Sequence, residues 1–180
     1  YDCLAKAGVV SSAASLAYMS EAAFRAQPYY YDTSGASTDQ VGRNLPDVLA
    51  TNGYFSKWDT SSGADGAAPV KIGIILPDVP TWNEAVNRVL VPRLAAHGFK
   101  VDPDNIVRWP LPESASQNGD AVAAISSAVL KFRSNNVTHV LPMELNSLAF
   151  FAQPAESQLY RPRYGLNTAN LTPAYAGSLI

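Results

Sequence analysis

Val70–Leu76 reads VKIGIIL and runs straight into Pro77-Asp78. A run this short and apolar, rich in β-branched residues, predicts a strand covered on both faces, where no polar alternation is needed. Two further runs share the plan. Asn105–Trp109 (NIVRW) is closed by Pro110, and Thr138–Met143 (THVLPM) is closed by Glu144. Helical patterns fall after each: Trp82–His97, Asp120–Ser134 and Asn146–Gln158. The β-α-β-α-β-α order predicts a parallel sheet with right-handed crossovers, a three-layer α/β/α Rossmann-like fold. VKIGIIL is flanked by two crossovers and is the most apolar run, so it belongs at the centre. A fourth strand at Arg163–Asn167 (RYGLN) gives the order 2-1-3-4. In such sheets ligands bind beyond the carboxyl ends of the strands.

Working outward, the helix stripes are read as core. Ala85, Val86, Val89, Leu90 and Leu94 share one face, with Pro92 bending the helix. Val122, Ile125, Val129 and Phe132 stripe the second helix, and Leu148, Phe151, Ala152, Ala155 and Leu159 the third. Before VKIGIIL, Asp59–Ala68 (DTSSGADGAA) has loop composition. Asp39–Thr51 predicts a helix with Val41, Leu45, Val48 and Leu49 on one side and Pro46 inside it. Pro28–Tyr31 (PYYY) predicts a short extended crossing. Val9-Val10 predicts a short strand opening into SSAAS, and Leu16–Ala26 a helix or packed loop. Gly35–Thr38 is turn-like.

Composition narrows the function classes. With 180 residues and 47% hydrophobic content the chain can bury a sizeable core. A net charge of −2, with no basic cluster, gives no footprint for nucleic acid. No apolar run reaches the roughly 20 residues of a membrane span. The chain starts at Tyr1 and stops in Ala176–Ile180, which reads as the opening of a further helix, so it is read as a segment of a longer protein. Cys3 cannot form an internal disulfide and is read as a buried or unpaired thiol, or as the partner of a cysteine outside the segment. Two glycosylation triplets occur, at Asn136 and Asn170.

Reactive chemistry finds little support. His97 and His139 have no metal-ligand spacing around them and read as surface or capping histidines. No Gly-x-Ser-x-Gly elbow, phosphate loop or dinucleotide glycine fingerprint follows VKIGIIL. Neither metal nor cofactor is expected. Asp102-Pro103-Asp104 lies at the wrong end of its strand and reads as a solvated turn. What gathers at the carboxyl ends is Asp78, Thr81, Trp82, Glu144, Asn146, Ser147, Asn167 and Thr168. That set is polar and aromatic, without a nucleophile–base pair. It suits non-covalent capture of a small polar molecule better than bond breaking.

Val70–Thr168 resembles lobe two of the type I periplasmic binding proteins, and within them the branched-chain amino-acid-binding proteins of ABC importers. The residues that carry the resemblance are VKIGIILPDVPTWNEAV, PRLAAHGFKV, AISSAVLKFRSNNVTHVLPMELNSLAFF and ESQLYRPRYGLNT. GVVSSAAS resembles the last strand and ligand turn of lobe one, and PYYY the crossing between lobes. The resemblance implies that residues 1–27 end lobe one and that residues 28–180 form lobe two.

The same resemblance implies a Rossmann-like lobe of an extracytoplasmic solute-binding protein, periplasmic or a cell-surface lipoprotein. It would bind an amino acid or related carboxylate, and its partner would be an ABC-transporter permease. Any membrane contact would run through a lipid anchor outside the segment. It implies no catalysis. By its pattern Ala13 and Ser15 would face a ligand carboxylate, and Trp82, four positions after Asp78, would form an aromatic wall. Ser15 also fits a helix cap, and Trp82 also fits packing. Ser147 stands where the family has an ammonium-binding Glu, with Glu144 three positions earlier. Glu144 would then substitute, or the ligand would lack an ammonium. Two alternatives stay open: a ligand-sensing domain of a receptor or transcription regulator with the same fold, and a doubly wound enzyme with Asp78 or Glu144 as general base.

Overall fold

The fold is described from a computed structural model covering residues 2–13, 19–32, 36–112 and 114–170. The lead-in comprises α1 (Asp2–Lys6), β1 (Ser11–Ala13), α2 (Glu21–Ala26) and β2 (Tyr30–Asp32). β1 and β2 pair in parallel, Ser11 opposite Tyr30, as a two-stranded ladder separate from the main sheet. The strand expected at Val9-Val10 thus sits two residues later. α2 buries none of its residues. It is held to the next helix at one end, where Glu21 pairs with Arg43 at 3.1 Å and its amide donates to Asp39.

α3 (Thr38–Thr51) is started by a reciprocal cap. The Ser37 hydroxyl accepts from the Gln40 amide, and the Gln40 side chain accepts from the Ser37 amide. The helix runs on through Pro46 and buries Val41, Leu45 and Leu49. Val48, placed on that face by the sequence, is 54% exposed instead. The segment expected to be loop holds two short antiparallel strands, β3 (Trp58–Asp59) and β4 (Ala64–Asp65). Asp59 forms their turn by accepting from the Ser61 amide and the Ser61 and Ser62 hydroxyls.

The main sheet contains β5 (Ile72–Pro77), β6 (Ile106–Trp109), β7 (His139–Pro142) and β8 (Arg163–Tyr164). All pairs are parallel, in the spatial order β6-β5-β7-β8. That is the expected 2-1-3-4, with VKIGIIL inside the sheet. β8 is shorter than the expected RYGLN, because only Arg163 and Tyr164 face partners on β7. Every residue of β5 is buried. Its two faces are filled differently. Ile72, Ile74 and Leu76 pack with α3 and with α4 (Pro80–Ala85) and α5 (Val91–Ala96), while Ile75 packs with α6 (Asn118–Ser134) and α7 (Leu145–Ser157). Alternating side chains of one strand therefore feed two cores, which makes the three layers.

Between α4 and α5 the chain opens into a π-helical turn, Val86–Leu90, in which the Val91 amide donates to the Val86 carbonyl. Pro92 lies just beyond. Its ring excludes the carbonyl four residues back, at Arg88, so the turn widens by one residue instead of breaking. The bend expected from Pro92 takes this form.

His139 corrects an expectation. It is not at the surface but fully buried, between the amino end of β7 and the loop after α3. Its Nε2 lies 2.9 Å from the Tyr54 carbonyl and its Nδ1 2.9 Å from the Thr138 hydroxyl. A carbonyl can only accept, so Nε2 carries the hydrogen of that bond, and burial disfavours a second proton on the ring.

Candidate functional site

The carboxyl ends of β5, β6 and β7 are locked level with one another. The Asp78 amide donates to the Trp109 carbonyl at 2.8 Å, and the Met143 amide donates to the Ile75 carbonyl at 2.9 Å. Past this line each strand hands over to a helix or turn, and the polar residues singled out in the sequence fall along it. They divide into two groups by burial.

The first group supports the edge from within. Trp82 is 1% exposed and packs among Leu76, Ala85, Val86 and Leu90, so the expected open aromatic wall is corrected. The cause is helical spacing. Trp82, Ala85 and Val86 stand at i, i+3 and i+4, which puts the indole on the buried stripe. Glu144 is fully buried and caps α7, its carboxylate accepting from the amides of Asn146, at 2.8 Å, and Ser147. A carboxylate suits that position, since it meets unpaired amides at the positive end of the helix. The Ser147 hydroxyl is buried too and accepts from the Trp109 indole at 2.8 Å. That bond ties β6 to α7 across the end of β5.

Asn170 completes the support. It is buried, and its side-chain amide donates to the Pro142 and Glu144 carbonyls at 3.0 and 2.9 Å. Asn167 donates to the same Pro142 carbonyl, and its side-chain oxygen accepts from the Ala169 amide. Asn170 thus has its nitrogen engaged inside the fold, which closes one of the two glycosylation triplets. In the other, Asn136 is exposed, but the Thr138 hydroxyl is buried and accepts from the Lys71 amide.

The second group faces outward. Asp78 and Thr168 are exposed, and Thr81, Asn146 and Asn167 are half-buried. Asp78 also joins a row of three residues absent from the sequence-based list, Asn83, Asn87 and Arg108. The Asp78 carboxylate accepts from the Asn83 side-chain amide at 2.7 Å. The Asn83 oxygen accepts from Arg108 Nε at 2.7 Å, and the Asn87 oxygen accepts from another Arg108 nitrogen at 3.2 Å. Arg108 sits level with Leu76, one residue before the end of β6, and Asn87 lies in the π-helical turn. The signal for Arg108 was present in NIVRW, as a lone cation in an apolar strand. Ala13 ends β1, and its backbone partner is Asp32. Ser15 lies outside the described residues.

Among the described residues no group of three or more His, Cys, Asp or Glu is placed to hold a metal ion. No helix among them is long and apolar enough to cross a membrane.

No family model matches the chain. No curated protein matches it either. Two similar solved structures are ABC transporter substrate-binding proteins from Desulfitobacterium hafniense. One, in complex with Leu, is 14% identical, with a TM-score of 0.49. The other is also 14% identical, with a TM-score of 0.46. Each alignment covers 87% of this chain and 38% of the solved one, so the chain spans less than two fifths of their length. The fold assignment itself rests on strand order and layering.

Proposed function

We propose that this chain is mainly one lobe of a two-lobed, extracytoplasmic solute-binding protein, which holds a small polar ligand at the carboxyl edge of its parallel sheet and delivers it to an ABC-transporter permease. The observation that carries the reading is the divided edge. Trp82, Glu144, Ser147 and Asn170 fix its shape from inside, while Asp78, Thr81, Asn146, Asn167 and Thr168 offer polar groups outward. A buried scaffold under a polar rim is what reversible capture requires, because rigid donors and acceptors lose little freedom on binding.

The parallel ladder of β1 and β2 joins the two segments apart from the main sheet, which supports reading residues 28–32 as a crossing between units. Residues 1–27 are read as the end of the other unit and residues 28–180 as the lobe described here. Closure by a hinge would bring Ala13 and Ser15 toward the rim. The role is binding, without catalysis.

The test uses the full-length protein. It is titrated with a panel of L-amino acids (leucine included), the matching amines and acids, and neutral sugars. Thermal stability and intrinsic fluorescence are followed. One class of solute should raise the melting temperature in a saturable way, because a ligand that binds only the folded state stabilises it. If every member of the panel leaves both readouts unchanged, the reading fails.

A further inference from the structure

We propose that the chain carries a second binding site, at the amino end of the main sheet, for a small organic anion: an oxyanion, carboxylate or phosphate, on an apolar body. The site lies at the end of the sheet away from the carboxyl edge and is independent of solute capture there. Three observations carry it.

The first is a cavity with one sign of charge. A space of about 420 Å³ opens ahead of β5 and β7, between the turn that joins β3 to β4 and the carboxyl ends of α6 and α7. Its charged lining side chains are Lys71 and Arg133, and no carboxylate lines it. Among the described residues neither cation makes an ion pair. The acids that flank the lining in sequence are engaged elsewhere. Asp59 accepts from Ser61 and Ser62 within its own turn, and Glu156 is bound by Arg161 at 2.6 Å. Two cations around one concave space focus a positive potential in it. The walls are fixed beforehand. The Arg161 amide donates to the Thr60 carbonyl at 2.7 Å, the Tyr160 hydroxyl to the Val137 carbonyl at 2.8 Å, and the Lys71 amide to the Thr138 hydroxyl at 2.9 Å.

The second concerns the two helix ends, whose carbonyls would repel an anion. Asn136 and Leu159 both line the cavity and both take the left-handed conformation, each at φ 53°. The turns they make bond those carbonyls internally. After α6, the Arg133 and Phe132 carbonyls accept from the Asn136 and Val137 amides at 3.0 and 2.9 Å. After α7, the Glu156 and Ala155 carbonyls accept from the Leu159 and Tyr160 amides, both at 2.9 Å. Each helix end still carries roughly half a negative charge, which two full cations outweigh.

The third is Leu159 itself. Glycine is the usual residue in such a turn, because a Cβ crowds the next carbonyl oxygen when φ is positive. Leucine accepts that strain and is 65% exposed, so its side chain gains little burial in return. What the position does gain is an apolar wall beside Lys71 and Arg133. An anion with an apolar body uses both features, its oxygens on the cations and its chain along Leu159.

The experiment titrates the full-length protein by calorimetry with hexanoate, hexyl phosphate and propanoate, and with hexanol and hexylammonium as controls. The hexyl anions should bind more tightly than the alcohol and the ammonium, and added salt should weaken them. Lys71→Gln and Arg133→Gln should each cost about two- to fivefold in affinity, the scale of an exposed ion pair, and the double variant more than either. Arg108→Gln, at the carboxyl edge, should leave these affinities unchanged. Leu159→Gly relieves the left-handed strain, so it should melt no lower than the parent. It should nonetheless weaken hexanoate by about four- to fifteenfold, one or two methylenes' worth, and narrow its advantage over propanoate. Tighter binding of one head group, carboxylate or phosphate, would identify the oxyanion. Anions that bind no better than hexanol or hexylammonium, or that bind the double variant as well as the parent, would overturn the site. So would hexanoate affinity unchanged in Leu159→Gly. Each of these failures leaves solute capture at the carboxyl edge untouched.

Discussion

At the scale of the residue, Trp82 shows how a side chain of binding character can be turned inward. Its polar and aromatic neighbourhood after Asp78 suggests an open face. Its spacing to Ala85 and Val86 puts it in the core, and the spacing prevails because burying an indole removes a large apolar area from water. The buried stripe was therefore legible one turn earlier than Ala85. Trp82→Ala should destabilise the fold by about 3–5 kcal/mol, the range for a large aromatic deleted from a core. Urea unfolding of the two proteins checks this. A stability change below about 1 kcal/mol would return the ring to the surface. Ser147 tells the same story at smaller size. In the sequence it replaces a hoped-for carboxylate, and in the structure its hydroxyl is the partner of the Trp109 indole.

At the scale of the element, α3 and α5 are clasped by charge. Arg93 binds Asp47 through two nitrogens, at 3.1 and 2.7 Å, and His97 Nε2 lies 2.6 Å from the same carboxylate. The hydrogen bond from Arg93, followed by that from His97, lowers the Asp47 pKa from 3.8 to about 2. A carboxyl group whose pKa is depressed by folding contributes stability above its unfolded value and loses it as the pH falls through the folded one. The contribution should be complete above about pH 4 and fade between about 4 and 2. Asp47→Asn should melt lower than the parent near neutral pH, with the gap narrowing across that acid window. Melting curves from pH 6 to pH 2 test it, and a gap constant with pH would show that the clasp contributes no linkage. Neither helix reveals this pair by itself, since Asp47 and Arg93 are 46 positions apart. The π-helical turn between α4 and α5 was half legible. Pro92 announced a disturbance, but only the packing of Val86 and Leu90, both fully buried, decided that the helix would widen and continue.

At the scale of the whole molecule, His139 is a joint between layers. It links the amino end of β7 to the Tyr54 carbonyl, and the Tyr54 hydroxyl returns to the Arg163 and Val140 carbonyls at 2.9 and 3.2 Å. Burial lowers the His139 pKa, and the bond to the Tyr54 carbonyl offsets part of that. The unfolded chain then binds a proton that the folded one refuses, so stability falls as the pH drops below about 6.5 and levels once the folded pKa is passed. In His139→Gln that slope should vanish. Equilibrium unfolding at pH 7.5, 6.5 and 5.5 measures it, and an equal slope in both proteins would place the titration elsewhere.

The sequence by itself determined the layered parallel sheet, the central place of VKIGIIL and the order 2-1-3-4. Those follow from local apolar density and from chirality, both of which are written along the chain. It also located the carboxyl edge of the sheet, because strand direction alone says where those ends lie. Only the tertiary structure decided which residues of that edge look outward. Glu144 became a helix cap, Ser147 an acceptor for Trp109 and Trp82 a core side chain, while Arg108 and Asn83 joined Asp78 outside. The physical reason is that burial and hydrogen-bond partnership depend on residues distant in sequence. Ser147 meets Trp109 across 38 positions and Asn83 meets Arg108 across 25, separations that no local pattern encodes.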